Sequence, residues 1–267
     1  MKTAVPARIH LLPAQAAPCA VVIRRKPSRC FHVIRWDTRS DRIEHGSWFE
    51  GKLYAKRCDV SFDGRWMVYL AMGASGETWN GICHPPFLRT VAEGGNMGAW
   101  FGGGCWRDRK TLMLNQWLPN KGSVPFTFEN LKAEHGGEDL SVLYARWQRD
   151  GWQRRGDDYG TQRVIANAPS YQVECIGDNG WQNRPTNKHP LLIVRYEGYL
   201  THGYTFRFEL EDYPDLLDAS VDSACWDNLG NLLYSRQGVL YKYSLRDLEL
   251  GQAGAVHDLE SLAQGNA

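Results

Sequence analysis

The chain has 267 residues, 43% hydrophobic and 23% charged, which suits one large domain or two small ones and excludes disordered and fibrous classes. Its 27 Gly and 12 Pro punctuate it into many short segments, a pattern that points to β structure. With 31 Lys+Arg against 30 Asp+Glu the net charge is +1, so no global field favours nucleic acid or an anionic membrane as a partner.

From Ile9 to Ile23 the chain carries no charge, and Ala14-Gln15-Ala16 has the form of a leader cleavage site. Pro13 and Pro18 interrupt the run and His10 and Gln15 dilute it, so no targeting segment is expected. No stretch approaches the ~18 consecutive apolar residues of a membrane span. Seven Cys, an odd number with no C-x-x-C pair, fit reduced thiols better than a secreted disulfide framework. A cytoplasmic location is therefore expected. Arg24-Arg25-Lys26 falls in a predicted hairpin loop, where a basic cluster is expected to be solvated.

The segment Cys58-Asp59-Val60-Ser61-Phe62-Asp63-Gly64-Arg65-Trp66-Met67-Val68-Tyr69 reads as a strand, an Asp-Gly turn and a second strand. It resembles the repeat of TolB-like and related β-propellers, with WD40-like blades. Those blades carry a Ser-Pro-Asp-Gly type of turn before an apolar strand, and here Phe62 stands where the family usually has Pro. Trp226 to Tyr243 resembles the same repeat more loosely. The resemblance implies propeller architecture and a binding platform, and it says nothing about a substrate.

Trp79, in Glu77-Thr78-Trp79-Asn80-Gly81, is expected in a loop that continues to His84-Pro85-Pro86-Phe87. An indole, an imidazole and a stiff diproline turn make this a candidate binding loop, or else a rigid crossover between strands. Gly102-Gly103-Gly104 lacks the Gly-Lys-Ser/Thr of a phosphate loop and is followed by Cys105-Trp106, so a bulge or close backbone approach is expected. Further on, Leu140, Leu143, Tyr144 and Trp147 fall at i, i+3, i+4 and i+7, between Gly136-Gly137 and Gly151. This predicts a short helical insertion over 138–150, with a strand through Val142 to Trp147 as the alternative. Arg154-Arg155 and Asp157-Asp158 then read as a solvated loop.

Five cysteine-centred segments, around Cys19, Cys58, Cys105, Cys175 and Cys225, can be laid over one another, each followed in most cases by a turn and an apolar run. Three of the four intervals lie near the ~40–50 residues of a propeller blade. The interval from Cys105 to Cys175 is longer and contains the predicted helix. The expected fold is an all-β propeller of about five blades, a single domain over 1–267 with a weakly ordered end at 260–267. Residues 1–60 carry 12 Lys+Arg and 5 Asp+Glu, whereas residues 205–267 carry 4 and 11. In a propeller these opposite charges meet where the first and last blades adjoin, and Ala255 to Leu259 has the strand character to complete the first blade.

No His-x-x-x-His, His-Glu-x-x-His or Cys-x-x-Cys spacing occurs, and Cys83-His84 are adjacent and so point apart on a strand, so no metal and no cofactor are expected. Trp79, His84, Trp106, Trp181 and Trp226 are the candidate ligand-binding residues, since an indole beside polar groups can hold a peptide or sugar. Asp59, Asp108, Asp178, Asp222 and Asp227 lie near the repeated marker, and in a five-bladed propeller two such acids can converge for glycoside hydrolysis. Asp63, Asp108, Asp178 and Asp227 also suit turn positions, where a carboxylate caps its own backbone. The sequence thus indicates a non-enzymatic scaffold for a protein or peptide partner. A carbohydrate-active hydrolase using Asp59 and Asp108 is the alternative.

Overall fold

The computed structural model describes residues 5–95, 98–132, 139–156, 161–165, 172–176, 179–200, 203–252 and 254–263. Gly136-Gly137, Glu138, Asp157-Asp158, Asp178 and the end of the chain beyond 263 lie outside them. The architecture is all-β: five small sheets of propeller-blade type, with few helices. Two compact units are present, Met1–Arg149 with Asp222–Ala267, and Asp150–Val221.

Four sheets belong to the larger unit. The first is an antiparallel meander of β1 (Arg8–Pro13), β2 (Cys19–Arg25), β3 (Cys30–Asp37) and β4 (Arg42–Glu50). The second contains β5 (Lys52–Leu53), β6 (Asp59–Val60), β7 (Met67–Met72), β8 (Thr78–Cys83) and β9 (Thr90–Gly94). The third has β10 (Gly104–Trp106) and β11 (Thr111–Leu114); the chain then returns through β12 (Lys121–Gly122) to pair with β9 before β13 (Thr127–Asn130) joins β11 in parallel. A helix, α1 (Leu140–Arg149), follows the third sheet.

The smaller unit is one sheet, ordered β14 (Gln153–Arg155), β17 (Gly180–Asn183), β18 (Leu192–Leu200), β16 (Val173–Ile176) and β15 (Thr161–Val164), with β19 (Gly203–Leu210) on β18. The last sheet of the larger unit is β20 (Val221–Trp226), β21 (Leu232–Arg236), β22 (Val239–Tyr243) and, after α2 (Leu245–Leu250), β23 (Ala255–Asp258).

The alternation of side chains explains how neighbouring sheets of the larger unit stack. On β2, Val21 and Ile23 pack with Val60, Met67 and Tyr69 of the second sheet. Ala20 and Val22, one residue out of phase, pack instead with Cys225, Leu233 and Leu240 of the last sheet. A strand apolar on both faces is what a sheet sandwiched between two others requires. In the same way Val68 of β7 turns to Trp106, Leu112 and Leu114 of the third sheet.

The predicted helix is present as α1, and Leu140, Leu143, Tyr144 and Trp147 are all buried, as their spacing demands. Gly151, at φ 80°, follows the helix in the left-handed conformation. The glycine run is a close approach: a Cβ on Gly103 would sit 2.2 Å from the Arg57 carbonyl oxygen. All seven cysteines are free thiols, and burial pushes the Cys58 thiol up to about 12.

The first and last sheets do adjoin. Lys26 pairs with Glu260 and Lys242 with Asp41, and the Ala7 amide donates to Glu260 Oε2 at 2.7 Å. Two expectations need correction here. Arg24 is not solvated: it is 1% exposed, and its guanidinium donates to the carbonyls of Leu259 (2.6 Å), Glu260 (3.0 Å) and Leu262 (2.8 Å). β23 does not complete the first sheet, because its backbone pairs with β22 of the last sheet. Arg24 supplies the link from the first sheet through side-chain donors instead.

Candidate functional site

A concave feature among the described residues is built on the β6–β7 turn. Ser61 N–H donates to the Trp66 carbonyl at 2.8 Å and Gly64 N–H to the Ser61 carbonyl at 2.8 Å, closing a tight loop. Ser61 Oγ donates to Asp63 Oδ1 at 2.6 Å and accepts the amides of Arg65 (3.1 Å) and Trp66 (3.0 Å). Gly64 has φ 73°, and a Cβ there would lie 2.3 Å from Cys19 Sγ, so the position demands glycine. This loop holds Phe62 and Trp66, both half-buried, against the third sheet.

Trp106 on β10 faces them from the third sheet and is 1% exposed. Its amide donates to Asp59 Oδ2 at 2.8 Å, and its carbonyl accepts from Arg149 Nη1 at 3.1 Å. Phe126, from the segment before β13, meets Trp106 edge-on at 4.5 Å between centroids and Trp66 at 5.4 Å. The four rings bound a cleft of about 320 Å³, near the lower end of the ~300–1,000 Å³ usual for ligand pockets. Arg65 and Arg109, both exposed, stand at its rim with Asp63. Among the described residues neither guanidinium has a hydrogen-bond or ion-pair partner.

Trp106 Nε1 is buried and has no hydrogen-bond partner. An unmet buried donor costs about 1–3 kcal/mol, and this one has no accessible surface in the free protein. Trp36 Nε1 is likewise unpaired, but Trp36 is not among the residues lining this cleft.

Of the residues expected to bind, Trp106 lines the cleft and His84 stands behind it, tilted against Trp66 with centroids 3.9 Å apart. His84 Nδ1 is 2.9 Å from the Arg65 carbonyl, which ties the imidazole to the same turn. The other three are elsewhere. Trp79 is not a loop residue: it lies on β8 opposite Ala71, half-buried, with its ring edge-on to Phe49 at 5.8 Å. Trp181 is 4% exposed on β17 in the smaller unit, under the Arg154 guanidinium at 5.3 Å. Trp226, at the end of β20, is 8% exposed.

The candidate acids hold structural positions. Asp59 is fully buried, pairs with Arg149 and anchors the Trp106 amide. Asp108 accepts the Lys110 amide at 2.8 Å and meets Arg107 Nε at 3.1 Å, and the Lys110 amide foremost holds its carboxyl below the usual range. Asp227 likewise accepts the amides of Leu229 (2.9 Å) and Asn231 (2.8 Å), and Asp63 accepts the Arg65 amide at 3.1 Å. Asp222 differs, because burial raises it to about 6 while it accepts the Ile9 amide at 3.3 Å.

Phe62, Trp66, Phe126, Arg65 and Arg109 were not singled out from sequence as a site. A signal existed in Phe62, where the repeat it resembles has proline, since an aromatic at an exposed turn asks for a partner. Among the described residues no group of three or more His, Cys, Asp or Glu gathers as a metal site, and no helix is long and apolar enough to cross a membrane. No protein-family model, curated protein or solved structure compared with the chain matches it.

Proposed function

We propose that this protein is a non-enzymatic scaffold that holds a protein or peptide partner in the cleft between the Ser61–Trp66 turn and Trp106. The observation that carries this reading is the concave cleft itself, bounded by four aromatic rings, of which Phe62, Trp66 and Phe126 are half-buried. Aromatic side chains in a concave, partly desolvated site are the usual anchors of protein recognition. The resemblance of residues 58–69 to TolB-like blades supports the same reading, because such blades mostly form binding platforms. A cytoplasmic setting accords with seven free thiols. The commitment of Asp59 to Arg149 and Trp106, and the lowered carboxyl of Asp108, favour the scaffold over glycoside hydrolysis, which needs a protonated acid at neutral pH.

Selection of displayed random linear peptides on the folded protein tests this. Peptides should be enriched that the folded Phe126→Ala variant no longer holds. Absence of any Phe126-dependent peptide overturns the proposal. So does turnover of a glycoside panel that vanishes in Asp108→Asn.

A further inference from the structure

We infer that the cleft recognises an acidic, extended peptide segment, which lays one apolar side chain in the cleft beside Phe62, Trp66 and Phe126 while its carboxylates meet Arg65 and Arg109. This deepens the scaffold reading and rests on it. Three observations combine. The two rim guanidiniums are exposed and have no partner among the described residues. Asp63, the acid at the same rim, already accepts the Ser61 hydroxyl and the Arg65 amide through Oδ1. Phe62, Trp66 and Phe126 are only half-buried, so their rings offer apolar contact to a side chain beside the arginines.

Aromatic walls alone would also suit a cation, through attraction to the ring faces. Two unpaired arginines at the mouth reverse that preference, because a cationic ligand would approach like charges as it desolvated. A single-stranded nucleic acid would also satisfy rings and arginines. Such ligands, however, are held by a positive groove that tracks the phosphate backbone. Here two guanidiniums flank one cleft, with Asp63, two residues before Arg65, at the same rim. Arginine's planar fork matches a carboxylate in two parallel bonds, which fixes the peptide's position along the cleft.

The test uses fluorescein-labelled peptides with one Phe flanked by Glu, the same peptide with Gln for every Glu, a Lys counterpart and a single-stranded oligodeoxynucleotide, all read by anisotropy. The acidic peptide should bind about tenfold more tightly than the Gln peptide at low salt, and the difference should shrink at physiological salt. Arg65→Gln and Arg109→Gln, both at exposed positions, should each remove about threefold or more of that preference while leaving the Gln peptide's affinity unchanged. Phe126→Ala should weaken both peptides alike. Equal binding of acidic and Gln peptides, lost in Phe126→Ala, overturns the charge inference and leaves the scaffold reading standing. Preference for the Lys peptide or the oligonucleotide overturns it as well. Failure of every peptide, with no Phe126-dependent sequence from the random selection, overturns both.

Discussion

The Asp59 carboxylate and the Trp106 amide are joined by a 2.8 Å hydrogen bond across two neighbouring sheets, and Arg149 at the end of α1 pairs with the same carboxylate. Asp59 is fully buried and the Arg149 side chain 6% exposed, so each ion depends on the other for its solvation. The helix thus acts on the cleft from behind: it fixes Asp59, and Asp59 fixes the strand that carries Trp106. Asp59→Ala strands a buried guanidinium and an amide together and should cost about 3–5 kcal/mol. Asp59→Asn keeps an acceptor for Trp106 and should cost less. Urea unfolding of both variants checks the order, and a loss below about 1 kcal/mol for Asp59→Ala would show that the pair contributes little.

Arg24 provides a second such dependency, between the first sheet and the segment after β23. Its guanidinium satisfies three carbonyls of that segment, those of Leu259, Glu260 and Leu262, besides that of Lys26. Arg24→Met keeps the apolar stem and removes the donors, so it should cost about 2–4 kcal/mol and raise proteolytic sensitivity after Asp258. Cleavage unchanged from wild type would mean that residues 259–262 are held by other contacts, such as Leu259 in the apolar core.

Sequence showed the β class, the blade count and the helix for a common physical reason: each follows from a local period. Turn residues recur at blade spacing, and Leu140, Leu143 and Trp147 mark one helical face. The Cys alignment was less uniform than it looked. Cys105 and Cys225 lie on the first strands of their sheets, β10 and β20, whereas Cys58 precedes β6, which follows β5 in its sheet, and Cys19 opens the second strand of its own. α2 was overlooked although Ser244 and Asp247 form a capping box and Gly251 closes it at φ 63°. Six residues are too few for periodicity to register. The cleft was hidden more thoroughly, because Phe62, Trp66, Trp106 and Phe126 come from three separated segments and only the stacking of sheets brings them together. Arg24 illustrates the same limit: a charge at the end of an apolar strand is indistinguishable in sequence from one in a solvated loop.

Acid should destabilise the protein through its buried imidazoles. Burial holds His32 down to about 4 and His10 well below its ordinary value, with Arg146 close to His10. Between pH 6.5 and 4 the unfolded chain binds protons that these groups refuse, so stability falls as pH falls, by about 1–2 kcal/mol for His32 at pH 5. Asp222 works in the opposite direction. Its folded value near 6 lies above the unfolded one, so its protonated form stabilises the fold at low pH and that contribution is lost as pH rises to about 6. Asp222→Asn should therefore raise stability at pH 7 by about 1–2 kcal/mol, and His32→Gln should flatten the acid limb. Parallel pH profiles for wild type and His32→Gln would remove His32 from the account.

Two of the four indoles first grouped as ligand-binding residues should separate cleanly on mutation. Trp79 packs half-buried against the core that includes Leu53 and Tyr69, and its ring edge meets Phe49. Trp79→Ala should cost about 2–4 kcal/mol and leave peptide affinity in the surviving folded fraction unchanged. Trp106→Phe retains an aromatic between Phe126 and the sheet while deleting an N–H that has no partner in the free protein. Removing an unmet donor offsets part of the lost packing, so the stability change should stay within about 1 kcal/mol. Peptide affinity should stay close to that of the wild type, because the deleted donor has no accessible surface for a ligand to meet. A fall in peptide affinity for Trp106→Phe would show that the cleft opens to the indole N–H on binding. If the variant instead loses several kcal/mol of stability, Trp106 is a packing residue whose shape alone matters.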